Sequence, residues 1–472
     1  MDPFPLIIGG EYKNTQSTIP VLNPYSDERI GDVCRAGAEE IEEVMIAAGK
    51  GAKIMASLPA HIRSSMLHRL ADLIEESSAG LTDIIISESG KVRRNAAAEV
   101  MRAVRTIRIS AEEALRIRGE TIPMDTEPAG EKRWAILTRV PVGIVLAICP
   151  FNFPLNLICH KAGPAYASGN ACIIKPSSDT PLTALKFGEL LLRSGFPKEA
   201  VNVVSCDNNL AECMVMDQRV GCISFTGSPQ TGWHLRHIAN TGKVSLELGG
   251  NAAVIVNDTP DISLVARRIV EGAFTNAGQV CISVQRVYVN RSIYNSLADE
   301  IVNQAATLVL GDPADPRTDI GPMINQEKCS QALRRISDAE KCGARILCGS
   351  RKIGRILVPS VIGDTNPTME IEKEEVFAPV LTIKSYDSFQ DAIDMVNDTK
   401  YGLQAGVYTQ DLTLAFSACQ QIRCGAVLIN DIPTFRIESM PYGGVKESGF
   451  GREGPAYAIR EMTDEKLLIF SL

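Results

Sequence analysis

The segment Val142-Gly-Ile-Val-Leu-Ala-Ile-Cys149 opens the part of the sequence that decides the fold. It is a short apolar run with β-branched side chains, and four similar runs follow it. The predicted strands are 142–149, 171–175, 201–205, 222–225 and 244–248, and the predicted helices between them are 155–168, 181–194 and 230–239. Strands that alternate with helices indicate βαβ units, so we expect an α/β fold with a parallel sheet covered on both faces.

The flanking regions extend this pattern. Leu6-Ile-Ile followed by Gly9-Gly10 indicates a small edge hairpin, and helical spacing of apolar residues predicts helices over 39–57, 62–79 and 96–118. In the second half the predicted strands are 253–256, 284–289, 377–383, 405–408 and 425–429, and the predicted helices are 262–274, 294–308, 326–341, 389–397 and 413–421. These elements predict a second α/β domain.

Composition excludes several classes of function. The 472 residues carry a net charge of −8, which argues against binding to nucleic acid or to a membrane surface, because both require a basic face. No apolar run approaches the roughly 18 residues of a membrane span, so we expect a cytoplasmic protein. The 13 cysteines form no C-x-x-C pair, which favours reduced thiols over disulfides or a zinc site, and we expect no metal.

Polar, proline or glycine residues follow several of the predicted strands. Cys149-Pro-Phe-Asn152-Phe-Pro follows the first strand, and Lys175-Pro-Ser-Ser178 follows the second. Phe225-Thr-Gly-Ser228 leads into a helix N-terminus, where backbone N–H groups favour a phosphate, and Glu247-Leu-Gly-Gly250 ends the fifth strand. Ligands bind at the carboxyl ends of such strands, so these residues predict a binding cleft.

Cys281 is a candidate nucleophile. It lies in Thr275-Asn-Ala-Gly-Gln-Val-Cys281, where a turn at Gly278 can present the thiol to a ligand together with backbone N–H groups. A free cysteine is more often a small buried hydrophobic residue, so this segment alone leaves both roles open.

Taken together, the motifs resemble the aldehyde dehydrogenase superfamily over nearly the whole chain. The segments that carry the resemblance are Pro150-Phe-Asn-Phe-Pro154, Lys175-Pro-Ser177, Phe225-Thr-Gly-Ser228, Glu247-Leu-Gly-Gly250, Gly278-Gln-Val-Cys281, Glu375-Val-Phe-Ala-Pro379 and Pro441-Tyr-Gly-Gly-Val-Lys446-Glu-Ser-Gly449. The resemblance implies oxidation of an aldehyde to a carboxylate with NAD or NADP, through a thiohemiacetal and a hydrolysed thioester.

The resemblance also implies a role for each site residue. Cys281 would be the nucleophile, Asn152 an oxyanion donor and Glu247 the base that activates water. The cofactor residues would be Lys175 and Ser178 at the adenine-side ribose, Gly227, Ser228 and Gly232 at the pyrophosphate, and Glu375 and Phe377 at the nicotinamide ribose and ring.

The family architecture implies three parts. A Rossmann-like cofactor domain would comprise 1–122 and 142–248, a catalytic domain would comprise 249–440, and 123–141 with 455–472 would form a small β oligomerisation arm. We therefore expect a homo-oligomer, either a dimer or a tetramer.

One departure from the family pattern concerns the cofactor. An acidic residue three positions after the lysine of Lys-Pro-Ser disfavours the 2′-phosphate of NADP in the family, and Ser178 occupies that position here. A serine does not repel a phosphate, so we expect NADP to be tolerated or preferred.

Three further residues bear on the substrate. Arg102, His160 and Arg436 align with family positions that line the aldehyde tunnel, where members acting on apolar aldehydes carry apolar or aromatic residues. Cations buried there would favour a short polar or anionic aldehyde of the lactaldehyde, phosphonoacetaldehyde or sulfolactaldehyde type. The competing interpretation is that Arg102 and Arg436 pair with local carboxylates such as Glu99 or Glu438.

Other functions stay open at this stage. A non-phosphorylating glyceraldehyde-3-phosphate dehydrogenase usually has an arginine before the catalytic cysteine, whereas this chain has Val280. A succinate-semialdehyde dehydrogenase is a further alternative. A CoA-acylating enzyme commonly lacks the glutamate at position 247, and a non-catalytic family member would have lost Cys281, Asn152 or Glu247.

Overall fold

The computed structural model describes residues 2–259 and 261–472. In chain order its strands are β1 (Leu6–Ile8), β2 (Glu11–Lys13), β3 (Thr18–Leu22), β4 (Arg29–Cys34), β5 (Glu120–Ile122), β6 (Arg133–Pro141), β7 (Ile144–Ile148), β8 (Ala171–Lys175), β9 (Val201–Val203), β10 (Val220–Thr226), β11 (Val244–Glu247), β12 (Ala253–Val256), β13 (Arg286–Asn290), β14 (Arg345–Cys348), β15 (Lys352–Ile353), β16 (Ile356–Leu357), β17 (Ser360–Gly363), β18 (Val380–Tyr386), β19 (Gln404–Tyr408), β20 (Ala426–Ile429), β21 (Gly449–Phe450) and β22 (Thr463–Ser471).

The helices are α1 (Ala38–Ser57), α2 (Ala60–Glu76), α3 (Ser78–Ser89), α4 (Arg93–Ala114), α5 (Asn156–Ala167), α6 (Pro181–Arg193), α7 (Asn208–Met216), α8 (Pro229–Ile238), α9 (Ile262–Phe274), α10 (Tyr294–Ala306), α11 (Gln326–Lys341), α12 (Glu370–Lys373), α13 (Phe389–Asn397), α14 (Leu412–Gln421) and α15 (Pro455–Glu461). None of the helices in the described ranges has the length and apolar composition that a membrane span requires.

The first sheet has the strand order β2-β1-β9-β8-β7-β10-β11-β21. The five strands from β9 to β11 are parallel to their neighbours, whereas β1 and β21 are antiparallel additions at either side. Every residue of β7 and β8 is buried, as expected when helices cover both faces of a parallel sheet. From β7 the chain adds β8 and β9 on one side, and then crosses to the other side of β7 to add β10 and β11. Open α/β sheets bind ligands at such a switch point, which here lies between β7 and β10.

The second sheet has the order β14-β17-β18-β13-β12-β19-β20, and its strands are parallel except for β14. Helices α9 to α11 pack with this sheet around their own apolar core. The expected α/β class, with two sheets of mostly parallel strands, is therefore confirmed.

A third sheet has the order β22-β6-β5, with β22 paired antiparallel along the whole of β6. Past Thr463 every residue of β22 is exposed, including Leu467, Ile469 and Phe470. Two short hairpins, β3–β4 and β15–β16, complete the strand pairing.

Most predicted elements agree with the structure to within a few residues, and α3 is the main helix that the sequence prediction missed. The predicted helix 62–79 stops before Gly80, but Gly80 lies in the first turn of α3, with no atom within 4 Å of its Cβ position. The helix ends instead at Gly90, whose φ of 68° is the left-handed conformation that glycine adopts at helix ends. The predicted strand 377–383 begins only at Val380, because Phe377 has a φ of 52° and cannot lie in a strand.

Candidate active site

Cys281 follows a strained turn at the end of α9. Asn276, Ala277 and Gly278 have φ values of 54°, 52° and 68°, all in the left-handed region. A Cβ atom on Gly278 would lie 2.0 Å from the carbonyl oxygen of Ala378, so only glycine fits against that backbone. Consecutive left-handed residues are costly and typically occur at functional sites, where the surrounding structure holds them.

The turn places Cys281 in the wall of a cavity of about 1590 Å³ that is shared by the two large sheets. Burial raises the pKa of the Cys281 thiol to about 12, and a hydrogen bond with the Tyr442 hydroxyl acts in the opposite direction. Tyr442 Oη lies 3.0 Å from Cys281 Sγ. Burial also raises the pKa values of several other free thiols, but among the residues that the structure describes Cys281 is the cysteine with a tyrosine hydroxyl against its sulfur.

Asn152 lies in the connection between β7 and α5 and also lines the cavity. The residue is 6% exposed, and its side-chain nitrogen donates to the carbonyl oxygen of Gln279, at 3.0 Å. An amide nitrogen carries two protons, so one N–H remains for a ligand beside Cys281.

Glu247 ends β11 and faces the same cavity. The residue is 3% exposed, and neither carboxylate oxygen has a hydrogen-bond partner in the described part of the chain. Burial raises the pKa of Glu247 well above its usual range, and the nearby negative charge of Glu453 raises it further. A buried carboxyl group without a partner is unusual and indicates that a ligand or water belongs against it.

The three residues predicted to bind an anion are all close to buried carboxylates. Glu438 accepts hydrogen bonds from Arg102 Nε at 2.5 Å and from His160 Nε2 at 2.6 Å. Burial acts to raise the pKa of Glu438, but the His160 hydrogen bond and the charge of Arg102 outweigh it and hold that pKa well below the usual range. Arg102 thus pairs with Glu438, as the competing interpretation expected, but it also lines the cavity, so its contact with the substrate stays a prediction.

His160 is corrected as a direct substrate ligand. It is 1% exposed and is not among the residues that line the cavity. Burial lowers its pKa and the charge of Arg436 lowers it further, so the imidazole is neutral and donates from Nε2 to Glu438. Its contribution is to hold this carboxylate behind the cavity wall.

Arg436 lines the cavity and pairs with Glu453, which accepts from Arg436 Nη2 at 3.1 Å and from Lys161 Nζ at 2.7 Å. Burial acts to raise the pKa of Glu453, but these two cations outweigh it and lower the pKa to about 2. The guanidinium of Arg436 stacks on the Tyr442 ring, with Cζ 3.8 Å from the ring centroid. Arg436 Nε is buried and has no hydrogen-bond partner in the described residues.

The predicted cofactor residues, with one exception, line the other end of the cavity. Lys175 ends β8, Ser178 follows it at an exposed position, and Gly227 and Ser228 follow β10. Ser228 caps α8, its side chain accepting from the Thr231 backbone N–H at 3.3 Å, so the positive end of the helix faces the cavity.

Gly232 is the exception and is corrected. It is buried on the side of α8 that packs on β11, and a Cβ atom there would lie 2.3 Å from Leu248 Cδ2. It does not line the cavity, so its glycine serves the close packing of α8 rather than contact with a ligand.

Glu375 and Phe377 lie on the cavity wall opposite the first sheet. Glu375 accepts from the Gly250 backbone N–H at 2.9 Å, and burial raises the pKa of this carboxyl to about 7. The left-handed backbone of Phe377 turns its ring edge-on to Phe151, with 5.9 Å between ring centroids.

The sequence matches the model of the aldehyde dehydrogenase family over residues 12–468. The chain belongs to the aldehyde dehydrogenase family. It is 40% identical over 470 residues to a 3-sulfolactaldehyde dehydrogenase of Priestia megaterium, covering 99% of this chain and 98% of that protein. The predicted family membership and the prediction of an NAD(P)-dependent aldehyde dehydrogenase are thus confirmed.

Solved structures agree with this assignment. Aldehyde dehydrogenase 21 from Physcomitrella patens, in complex with the reaction product succinate, superposes with a TM-score of 0.97 at 33% identity, covering 100% of this chain and 99% of that chain. Glyceraldehyde-3-phosphate dehydrogenase GapN from Methanocaldococcus jannaschii, complexed with NADP, gives a TM-score of 0.93 at 34% identity, covering 97% and 100%. These aldehyde dehydrogenases share the fold with its Rossmann-like cofactor domain, and the prediction of NAD or NADP as cofactor is confirmed.

Sequence reasoning gave no role to three residues of the aldehyde dehydrogenase site, Glu453, Lys161 and Tyr442, and named Glu438 only as an alternative partner of the arginines. Glu438 and Glu453 hold the cations, Lys161 neutralises Glu453 from α5, and Tyr442 contacts Cys281. Tyr442 lies inside a family motif and could have been singled out as a polar residue there. The two glutamates carry no local pattern that distinguishes them from surface carboxylates. Among the described residues, no group of His, Cys, Asp and Glu could hold a metal ion.

Proposed function

We propose that this aldehyde dehydrogenase oxidises a short polar or anionic aldehyde of the sulfolactaldehyde, lactaldehyde or phosphonoacetaldehyde type to its carboxylate. The observation that carries the proposal is Arg436, a buried guanidinium on the wall of the Cys281 cavity whose Nε has no hydrogen-bond partner within residues 2–259 and 261–472. A buried donor of this kind is costly unless a ligand satisfies it.

The charges around the site favour the same class of substrate. Three cations, Arg102, Arg436 and Lys161, stand against two ionised carboxylates, Glu438 and Glu453. These three cations outnumber by one the two carboxylates that they contact, and neutral His160 adds no charge. A sulfonate, phosphonate or carboxylate of the substrate would balance that charge through charge-assisted hydrogen bonds.

The name of the Priestia megaterium relative supports this proposal, since sulfolactaldehyde carries a sulfonate. The succinate bound to the Physcomitrella patens enzyme supports an anionic substrate as well, and it keeps succinate semialdehyde as the second candidate.

In the proposed reaction the Cys281 thiolate adds to the aldehyde carbon, and the carbonyl electron pair moves to the oxygen. The free N–H of Asn152 and the Cys281 backbone N–H stabilise that oxyanion. When bound, the nicotinamide supplies the hydride acceptor. Glu247 then takes a proton from the water that attacks the thioester, the C–S bond breaks, and the thiolate of Cys281 returns.

We further propose that Lys175, Ser178, Gly227 and Ser228 hold the adenine side and the pyrophosphate of the cofactor. The N-terminus of α8, capped by Ser228, points backbone N–H groups and the positive end of the helix dipole at the cavity, which fits a phosphate. Glu375 and Phe377 would contact the nicotinamide side. No carboxylate stands at position 178 to repel a 2′-phosphate, so NADP fits.

The proposed division into parts is 1–122 with 142–248 for the cofactor, 249–440 for catalysis, and 123–141 with 455–472 as the oligomerisation arm. Exposed apolar side chains on β22, such as Ile469 and Phe470, support a homo-oligomer formed through the arm. All 13 cysteines are free, which supports a reducing, cytoplasmic location.

The test is a substrate screen with NAD and with NADP. The aldehydes are sulfolactaldehyde, lactaldehyde, phosphonoacetaldehyde, glyceraldehyde 3-phosphate, succinate semialdehyde and propanal, and kcat/KM is measured by NAD(P)H absorbance. An anionic or hydroxylated aldehyde is expected to give the highest value, and the proposal fails if propanal equals it. Cys281→Ala should abolish turnover, whereas Cys424→Ala, which removes a half-buried thiol outside the cavity, should retain it.

A further inference from the structure

Tyr442 stands directly against the sulfur of Cys281, although 161 residues separate the two in the sequence. The tyrosine is 3% exposed and its hydroxyl oxygen lies 3.0 Å from Sγ. Its backbone N–H donates to the Glu453 carbonyl at 3.1 Å, and its carbonyl accepts from the Glu453 N–H at 2.7 Å. These two bonds and the surrounding packing fix the position of the phenol.

The surroundings of Tyr442 keep its proton on the oxygen, so the hydroxyl is available as a hydrogen-bond donor. Burial raises the pKa of Tyr442 well above its usual range, and the adjacent Cys281 raises it further. The Arg436 guanidinium over the ring acts in the opposite direction, because a cation withdraws electron density from the phenol.

We propose that Tyr442 is a catalytic residue that donates its hydroxyl hydrogen bond to the Cys281 sulfur whenever that sulfur carries negative charge. The inference rests on the proposed function, in which Cys281 is the nucleophile. In the neutral thiol either atom can be the donor, but a thiolate has no proton, so only the tyrosine can donate.

Negative charge appears on the sulfur at two points of the reaction. The first is before the C–S bond forms, when the thiolate holds the electron pair that attacks the aldehyde carbon. The second is after water has attacked the thioester, when the C–S bond breaks and its electron pair returns to sulfur. The Tyr442 proton stays on oxygen throughout, so the hydrogen bond strengthens and weakens without a transfer of protons.

The other groups facing Cys281 make such a donor necessary. Glu375 and Glu247 lie near enough to raise the thiol pKa, and Arg436, which lowers it, is already paired with Glu453. Asn152 directs one N–H at Gln279 and leaves the other for the oxyanion. In the described residues, Tyr442 is the side chain within hydrogen-bonding distance of Sγ.

The experiment measures alkylation of Cys281 by iodoacetamide as a function of pH, with peptide mass spectrometry to follow this cysteine separately. Exposed Cys419 in the same sample is the internal reference. Tyr442→Phe removes the hydroxyl and keeps the ring under Arg436. Tyr401→Phe is the matched control, because that tyrosine also lines the cavity but its hydroxyl contacts Glu374, at 3.2 Å.

Loss of a hydrogen bond to a charged sulfur should move the rising limb of the Cys281 profile to higher pH by about one unit. The thiolate fraction near neutral pH should then fall by about tenfold in Tyr442→Phe. A more basic thiolate is also more nucleophilic, which offsets part of this loss, so we expect alkylation to slow by about three- to tenfold. Tyr401→Phe and the Cys419 reference should not move. If Tyr442→Phe gives the wild-type profile, the inference is overturned.

A second variant covers the case in which Tyr442→Phe does not fold. Difluorotyrosine incorporated at position 442 makes the phenol a stronger donor, so it should move the Cys281 limb to lower pH, and an unchanged limb would again overturn the inference. A failure of the proposed function can be told apart from a failure of this inference. If Cys281 is not the nucleophile, Cys281→Ala retains turnover, whatever the pH profile of Cys281 alkylation shows in Tyr442→Phe.

Discussion

Replacing Arg102 with leucine separates substrate recognition from structural pairing at this site. Arg102 lines the cavity, its side chain is 29% exposed, and it contacts Glu438 through Nε. In Arg102→Leu, Glu438 keeps its hydrogen bonds from His160 and Asn156, at 2.6 and 3.3 Å, so the buried carboxylate retains partners. The change therefore removes a cation from the cavity wall without leaving an isolated buried charge.

The magnitude follows from the hydrogen bond that an anionic substrate would lose. A hydrogen bond to a charged group contributes about 1.5–3 kcal/mol, and about 1.4 kcal/mol corresponds to a factor of ten. We expect kcat/KM for sulfolactaldehyde to fall by about 10- to 100-fold. The decrease should be nearer tenfold, because Arg102 is partly exposed to solvent and its interaction is weakened by screening. Propanal has no anionic group, so its kcat/KM should change less than about threefold.

The assay compares kcat/KM for both aldehydes in the wild type, in Arg102→Leu and in Arg105→Leu. Arg105 lies on the same helix but is exposed and does not line the cavity, so its variant controls for the loss of a helix arginine. Equal losses for sulfolactaldehyde and propanal in Arg102→Leu would refute the reasoning and leave Arg102 a purely structural role. Loss of sulfolactaldehyde activity in Arg105→Leu would show that the effect is a long-range one of charge.

Three further predictions concern the cofactor, the base and the fold. Ser178→Glu should lower kcat/KM with NADP by about 10- to 100-fold relative to NAD, because a carboxylate would repel the 2′-phosphate; an unchanged NADP to NAD ratio would contradict this placement. Glu247→Gln should give a burst of NAD(P)H followed by slow turnover in stopped-flow measurements, because it lacks the base that activates water for thioester hydrolysis. In the otherwise wild-type enzyme, Glu453→Gln should move the acid limb of the kcat–pH profile to lower pH, because removal of that negative charge lowers the raised pKa of Glu247. Glu99→Gln should lower the free energy of unfolding by about 3–5 kcal/mol in urea titrations, because its lysine partner is fully buried, whereas Glu43→Gln in an exposed pair should cost less than about 1 kcal/mol.

Local patterns were sufficient for the α/β class and for many individual elements. The bounds predicted for β8, β12, α9, α11 and α13 agree with the structure. These elements have strong apolar periodicity and clear terminating residues, and their formation depends on neighbours in sequence. The pattern failed where a glycine was ambiguous, as at Gly80, and where one residue takes an unusual conformation, as at Phe377.

The sequence alone therefore determined the alternation of strands and helices, the family, and the candidate catalytic residues Cys281, Asn152 and Glu247. Only the tertiary structure decided how the charges at the substrate end are balanced. Glu438 lies 278 residues from His160, and Glu453 lies 292 residues from Lys161, so no local pattern relates them. Their pairing exists because the two parts of the chain close around one cavity, where desolvation forces each cation to find a carboxylate and leaves Arg436 with a free N–H.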